Sequence, residues 1–159
     1  MKRILPIETI LETPEKQGIF VTAVVNQMET EIGKLSMIKG LFVKKTYAAV
    51  KAVRPGYVRH IIEVLSKDYI HEFSQMHSDF RASQPLPSEH PVPFIQYINE
   101  HRKEAETHFW VVADKYGAKK ADSMLGRAYK AGRSTIASHL PLVFEIICAQ
   151  IDKQTVVDE

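Results

Sequence analysis

The chain has 159 residues, a formal charge of +2 and one cysteine, which suits a single domain with one core and excludes an internal disulfide and the paired-cysteine zinc patterns. Apolar residues make up 45% and charged residues 25%, the balance of a globular rather than a disordered chain. Lys2 and Arg3 run at once into Pro6 and Glu8 with no apolar leader, and no stretch reaches the roughly 20 apolar residues of a membrane span, so a soluble, cytoplasmic protein with no membrane partner is expected.

Helical periodicity dominates from Thr13 onward. Thr13-Pro14-Glu15 supplies a capping hydroxyl, a proline for the first helical position and an acid for the first turn. Phe20, Val24, Met28 and Ile32, joined by Ile19 and Ala23, then mark one face, and Gly33 is the expected stop. A second helix is predicted over 36–54, with Ile38, Phe42, Ala49 and Val53 as its buried stripe and Pro55 as its end. Pro55-Gly56 opens a third helix carrying Val58, Ile61, Ile62 and Leu65. Ser66-Lys67-Asp68 reads as the cap of a fourth, using Tyr69, Phe73, Met76 and Phe80.

Residues 83–93 contain Pro85, Pro87, Pro91 and Pro93 and read as an extended, solvated linker at the midpoint of the chain. Beyond it, Phe94, Tyr97 and Ile98 predict a short helix that leads into a longer one ending near Tyr116 and Gly117, with Phe109 and Trp110 in the core. A further helix spans about Lys119 to Arg133. The last runs from about Thr135 to Ile151, kinked or split by Pro141, with Cys148 as a small buried thiol and 152–159 as a flexible tail. No window shows clean strand alternation. The predicted fold is all-α, a single-domain bundle of six or seven helices, with helical halves at 13–82 and 94–151 joined by the proline segment.

One motif occurs twice. Residues 42–51 and 124–133 share the order apolar, apolar, any, basic, any, Tyr, any, Ala, any, basic. At 100° per residue Phe42 and Ala49 oppose Tyr47 and Lys51, and Met124 and Ala131 oppose Tyr129 and Arg133. Each helix is thus expected to bury one stripe and present a Tyr-plus-cation face, which makes the two halves look related. Both motifs sit in basic blocks, 34–60 and 115–133, on either side of a middle segment, 61–114, whose local charge is −5.

The strings Thr9-Ile10-Leu11, Tyr47-Ala48-Ala49-Val50-Lys51 with Pro55-Gly56-Tyr57-Val58, and Phe94-Ile95-Gln96-Tyr97-Ile98 resemble a family of short bacterial proteins over roughly residues 9–135. That family is a domain of unknown function. The resemblance implies a compact helical protein and supplies no catalytic or binding residue. The proline-rich linker and Arg102-Lys103 depart from its pattern.

The chemistry-bearing patterns are few. His101, Glu104 and His108 share one helix face, a metal half-site that Asp68 with His71, or His60 with Glu63, could complete. The simpler account is a solvated polar face among Glu100, Arg102, Lys103 and Glu106. There is no Gly-x-Ser-x-Gly elbow, phosphate-binding glycine loop or dinucleotide fingerprint, so no catalytic residue, metal or cofactor is assigned. The candidate binding residues are Lys44, Tyr47, Lys51 and Arg54 on the first motif helix and Arg127, Tyr129 and Arg133 on the second. Such faces can hold phosphate groups, cover helix surface with long cationic side chains, or pair with the acidic middle of the same chain. A non-enzymatic binding or scaffolding protein is expected. Its partner is an anionic ligand, another protein or a second copy of the chain. The alternatives are a metal- or small-ligand-dependent helical enzyme on the His101/Glu104/His108 face and a polyanion binder on the Tyr-containing helices.

Overall fold

The two ends of the chain are held together. Strand β1 (Lys2–Ile4) pairs antiparallel with β2 (Val156–Asp158), in the register Lys2↔Asp158, Arg3↔Val157 and Ile4↔Val156. The Leu5 amide extends the pairing by donating to the Thr155 carbonyl at 2.8 Å. This ribbon corrects the expectation of no strand and of a flexible tail over 152–159. Strands of three residues are too short for alternation to register in sequence, and Thr155 is fully buried. Lys2 also exchanges backbone hydrogen bonds with Ser88, at 2.7 and 3.1 Å, which pins the proline segment to the N-terminal strand.

The computed structural model describes residues 1–34, 56–84, 87–120 and 123–159. A 3-10 turn (Ile7–Leu11) is followed by α1 (Pro14–Lys34), α2 (Tyr57–Glu72), α3 (Ser74–Ala82), α4 (Phe94–Glu100), α5 (Arg102–Lys119), α6 (Met124–Ser138) and α7 (Leu140–Thr155). The fold is all-α, with seven helices among the described residues. The predicted helix over 36–54, with Phe42 and its stripe, lies outside them.

Local chemistry explains most boundaries. The Thr13 hydroxyl accepts the Lys16 amide at 3.1 Å and caps α1. Gly33 lies within α1 rather than after it. Gly56, at φ 80°, adopts the left-handed turn that only glycine enters cheaply and launches α2. No helix begins at Ser66-Lys67-Asp68, as the sequence had indicated. The Ser66 hydroxyl donates back to the Ile62 carbonyl instead of capping, so α2 continues to Glu72 and breaks at Phe73. Ser123 caps α6 by accepting the Gly126 amide at 3.1 Å. Pro141 sits in the first turn of α7, where its missing amide costs nothing, and α6 and α7 meet at an 81° bend.

Helix α7 packs against α1 and α4, α2 against α1 and α5, and α5 against α6. Helices from both sides of the proline segment therefore share one core. Phe80 from α3 lies 5.0 Å from Phe94 and 5.9 Å from Tyr97 of α4, measured between ring centroids. On α1 the inward residues are Phe20, Val21 and Val24, whereas Ile19 is 56% exposed. Grouping Ile19 with the buried face was an error of one position on a 3.6-residue period. No single described helix is long and apolar enough to cross a membrane.

Candidate functional site

Of the seven candidate binding residues, Lys44, Tyr47, Lys51 and Arg54 lie outside the described residues. Arg127 is exposed on α6. Tyr129 and Arg133 are engaged within the chain. The Tyr129 hydroxyl donates to Asp114 Oδ1 at 2.8 Å, and Arg133 grips the same carboxylate through Nε and Nη2 at 2.8 and 2.9 Å. The Arg133 guanidinium also lies 3.9 Å from the centre of the Trp110 ring. The arrangement closes α6 onto α5. The hydrogen bonds from Arg133 hold the Asp114 carboxyl below its ordinary range, while burial, followed by the bond to Asp114, raises the Tyr129 phenol.

The face assignment on α6 is therefore reversed at two positions. Ala131, expected to be buried, is exposed, and Tyr129 packs against the core cluster. The reason is a close approach that the sequence does not advertise. Gly117 leaves room for the Tyr129 ring, and a Cβ at that position would come within 2.4 Å of two of its carbons. Gly117→Ala should cost about 1–3 kcal/mol by overpacking, despite alanine's better helix propensity. Chemical denaturation measures this, and a neutral result would mean that the ring moves aside freely.

The polar face on α5 also resolves into internal pairs. His101 is the break between α4 and α5, with Nδ1 2.9 Å from the Tyr97 carbonyl and its ring stacked 4.1 Å from that of Tyr97. His108 Nδ1 lies 2.8 Å from Glu72 of α2, and Nε2 lies 3.7 Å from Glu104. Among the described residues no three His, Cys, Asp or Glu side chains gather as a metal site.

The feature that sequence reasoning missed is a cavity of about 310 Å³ in the middle of the bundle. Its walls are Phe20, Val24 and Met28 on α1, Ile61, Ile62, Leu65 and Tyr69 on α2, Phe109 on α5, and Val143, Phe144 and Ile147 on α7. The few polar atoms on this wall are already committed. Ser66 bonds to the Ile62 carbonyl, and the Tyr69 hydroxyl donates to the Phe109 carbonyl at 3.3 Å. Burial raises both the Tyr69 phenol and the Cys148 thiol, which keeps them neutral. Periodicity identified most of these residues as apolar but not that four helices stand apart there.

Two further buried groups lie on either side of Phe94. His77 is fully buried with neither ring nitrogen hydrogen-bonded, and its ring sits 4.9 Å edge-on to Phe94. Asp152 Oδ2 accepts the Phe94 amide at 3.3 Å and so caps α4, while Oδ1 has no partner.

No curated protein and no solved structure matches the chain. A family model matches residues 7–155, and the chain belongs to that family, DUF6918, a family of unknown function.

Proposed function

We propose that this is a non-enzymatic cytoplasmic binding protein that takes an apolar small molecule into the cavity between α1, α2, α5 and α7. The observation that carries the reading is an apolar space of about 310 Å³ whose described wall hydroxyls, Ser66 and Tyr69, are both internally bonded. It falls in the size range of ligand sites, roughly 300–1,000 Å³. When it is empty, its wall atoms lack contact partners on one side, and filling it with an apolar molecule removes apolar wall from water at about 25 cal/mol per Å². Among the described wall residues Ser66 and Tyr69 are internally bonded, Cys148 is held neutral by burial, and no histidine or carboxylate stands beside them, which favours binding over catalysis.

The test is a fluorescence titration at neutral pH with 1,6-diphenyl-1,3,5-hexatriene, an uncharged elongated dye that brightens out of water. Saturable one-to-one enhancement is expected, and Val24→Trp, which fills the space, should reduce it with the helical circular dichroism unchanged. Enhancement that does not saturate, or that Val24→Trp leaves intact, sinks the reading.

An anionic partner is the second reading. Lys115, Lys119, Arg127 and Lys130 are exposed and make no ion pair among the described residues. Binding to heparin that weakens steeply with salt, and is lost in the Arg127→Glu/Lys130→Glu double variant, would support it.

A further inference from the structure

Granted the apolar-ligand reading on which this rests, we infer that the ligand is a molecule with one unbranched hydrocarbon chain, such as a fatty alcohol or acyl group, lying lengthwise between α1, α2 and α7 with its polar end outside. The first argument is shape. A round space of 310 Å³ for the centre of a water-sized sphere is about 8 Å across and sets facing wall atoms about 15 Å apart. The wall on α2 instead extends from Val58 to Phe73, about 22 Å of helix at 1.5 Å per residue. A modest volume touched along so much of α2 is long and narrow. A compact or polycyclic molecule of equal carbon count leaves the ends empty and overfills the middle.

The second argument is polarity. The hydroxyls of Ser66 and Tyr69 give their protons to backbone carbonyls, so a carbonyl or carboxylate carried inside would find no donor on the described wall and would be strongly disfavoured. The third is direction. Along α2 the wall runs from Val58, Ile61 and Ile62, which are half-exposed, to Ile70 and Phe73, which are buried. The chain enters beside Val58 with its methyl end leading, and the head group stays in water.

The probes are 1-alkanols from hexanol to tetradecanol, with 1-adamantanol as the compact counterpart of 1-decanol, titrated calorimetrically into the full chain. Affinity should rise about fourfold per methylene and then level off once the buried end is reached. 1-Decanol should bind about tenfold more tightly than 1-adamantanol, which touches less of the wall. Met28→Trp and Ile62→Trp should move the levelling point to shorter chains, while Val64→Trp, at an exposed position of the same helix outside the cavity, should leave it in place. Equal or tighter binding of 1-adamantanol, or no dependence on chain length, overturns the linear-chain inference and leaves the apolar-ligand reading standing. Binding of neither probe removes both. Unchanged binding in folded Met28→Trp and Ile62→Trp places the site elsewhere and overturns the inference.

Discussion

Phe80→Ala should destabilise the protein by about 3–5 kcal/mol, the largest effect expected of a single truncation here. Phe80 is fully buried and joins α3 to α4 through rings on both sides, His77 at 5.6 Å and Phe94 at 5.0 Å. Those neighbours stand on separate short helices that are tied down elsewhere: Arg81 Nε donates to the Ile4 carbonyl at 2.9 Å, and α4 is capped by Asp152. The site therefore collapses poorly after truncation, and the void persists. Ile19→Ala on the exposed side of α1 should change stability by no more than about 0.5 kcal/mol. Equilibrium denaturation of both variants tests the core assignment and the orientation of α1 together. Phe80 does not line the central cavity, so a folded Phe80→Ala protein should still bind the apolar probe. A loss below about 1 kcal/mol for Phe80→Ala would require the α3–α4 packing to be revised.

Much of this fold can be read from local chemistry. Thr13 before Pro14, the run from Phe94 to Ile98 and the placement of Pro141 each act within one helical turn, and each appears where the pattern puts it. What escapes the sequence depends on contacts between distant residues. Ser66 has the composition of a cap but bonds backward to the Ile62 carbonyl within a helix that packs on both α1 and α5. Tyr129 turns inward because Gly117, twelve positions earlier, leaves a hollow, and Asp114 waits beside it to accept both the phenol and Arg133. Reading the basic motif as a free surface treats its charges as unpaired, whereas pairing with the acidic middle segment describes Arg133 correctly. The cavity is the extreme case. Apart from Ser66 and Tyr69, the described wall residues are ordinary core residues by type, and only the separation of the helices makes a space among them.

The buried His77 and Asp152 should give stability an unusual pH dependence, flat in the native chain and steep once either is replaced. Burial, helped by nearby Arg81, lowers the His77 pKa from 6.5 to about 4. Between those values the unfolded chain binds the proton and the folded chain does not. This contribution is therefore complete above pH 6.5 and is lost as pH falls toward 4, by about 3 kcal/mol at 1.36 kcal/mol per pH unit. Asp152 runs the other way. Burial raises its pKa from 3.8 to about 6, against the opposing hydrogen bond from the Phe94 amide. Its contribution is complete below pH 3.8 and is lost as pH rises through about 6. The two slopes oppose each other across pH 4–6, so each conceals the other. Asp152→Asn keeps an acceptor for the α4 cap and removes the acid's titration, so its stability should fall steeply on acidification from pH 6.5 to 4. His77→Phe suits the aromatic surroundings of Phe80 and Phe94 and should instead lose stability as pH rises from 4 to 6. Denaturant midpoints for the three proteins at half-unit steps between pH 4 and 7 decide the matter. Parallel profiles for the native chain and Asp152→Asn would show that Asp152 reaches water in the folded state, and a native profile that falls steeply toward pH 4 would show that His77 acts there unopposed.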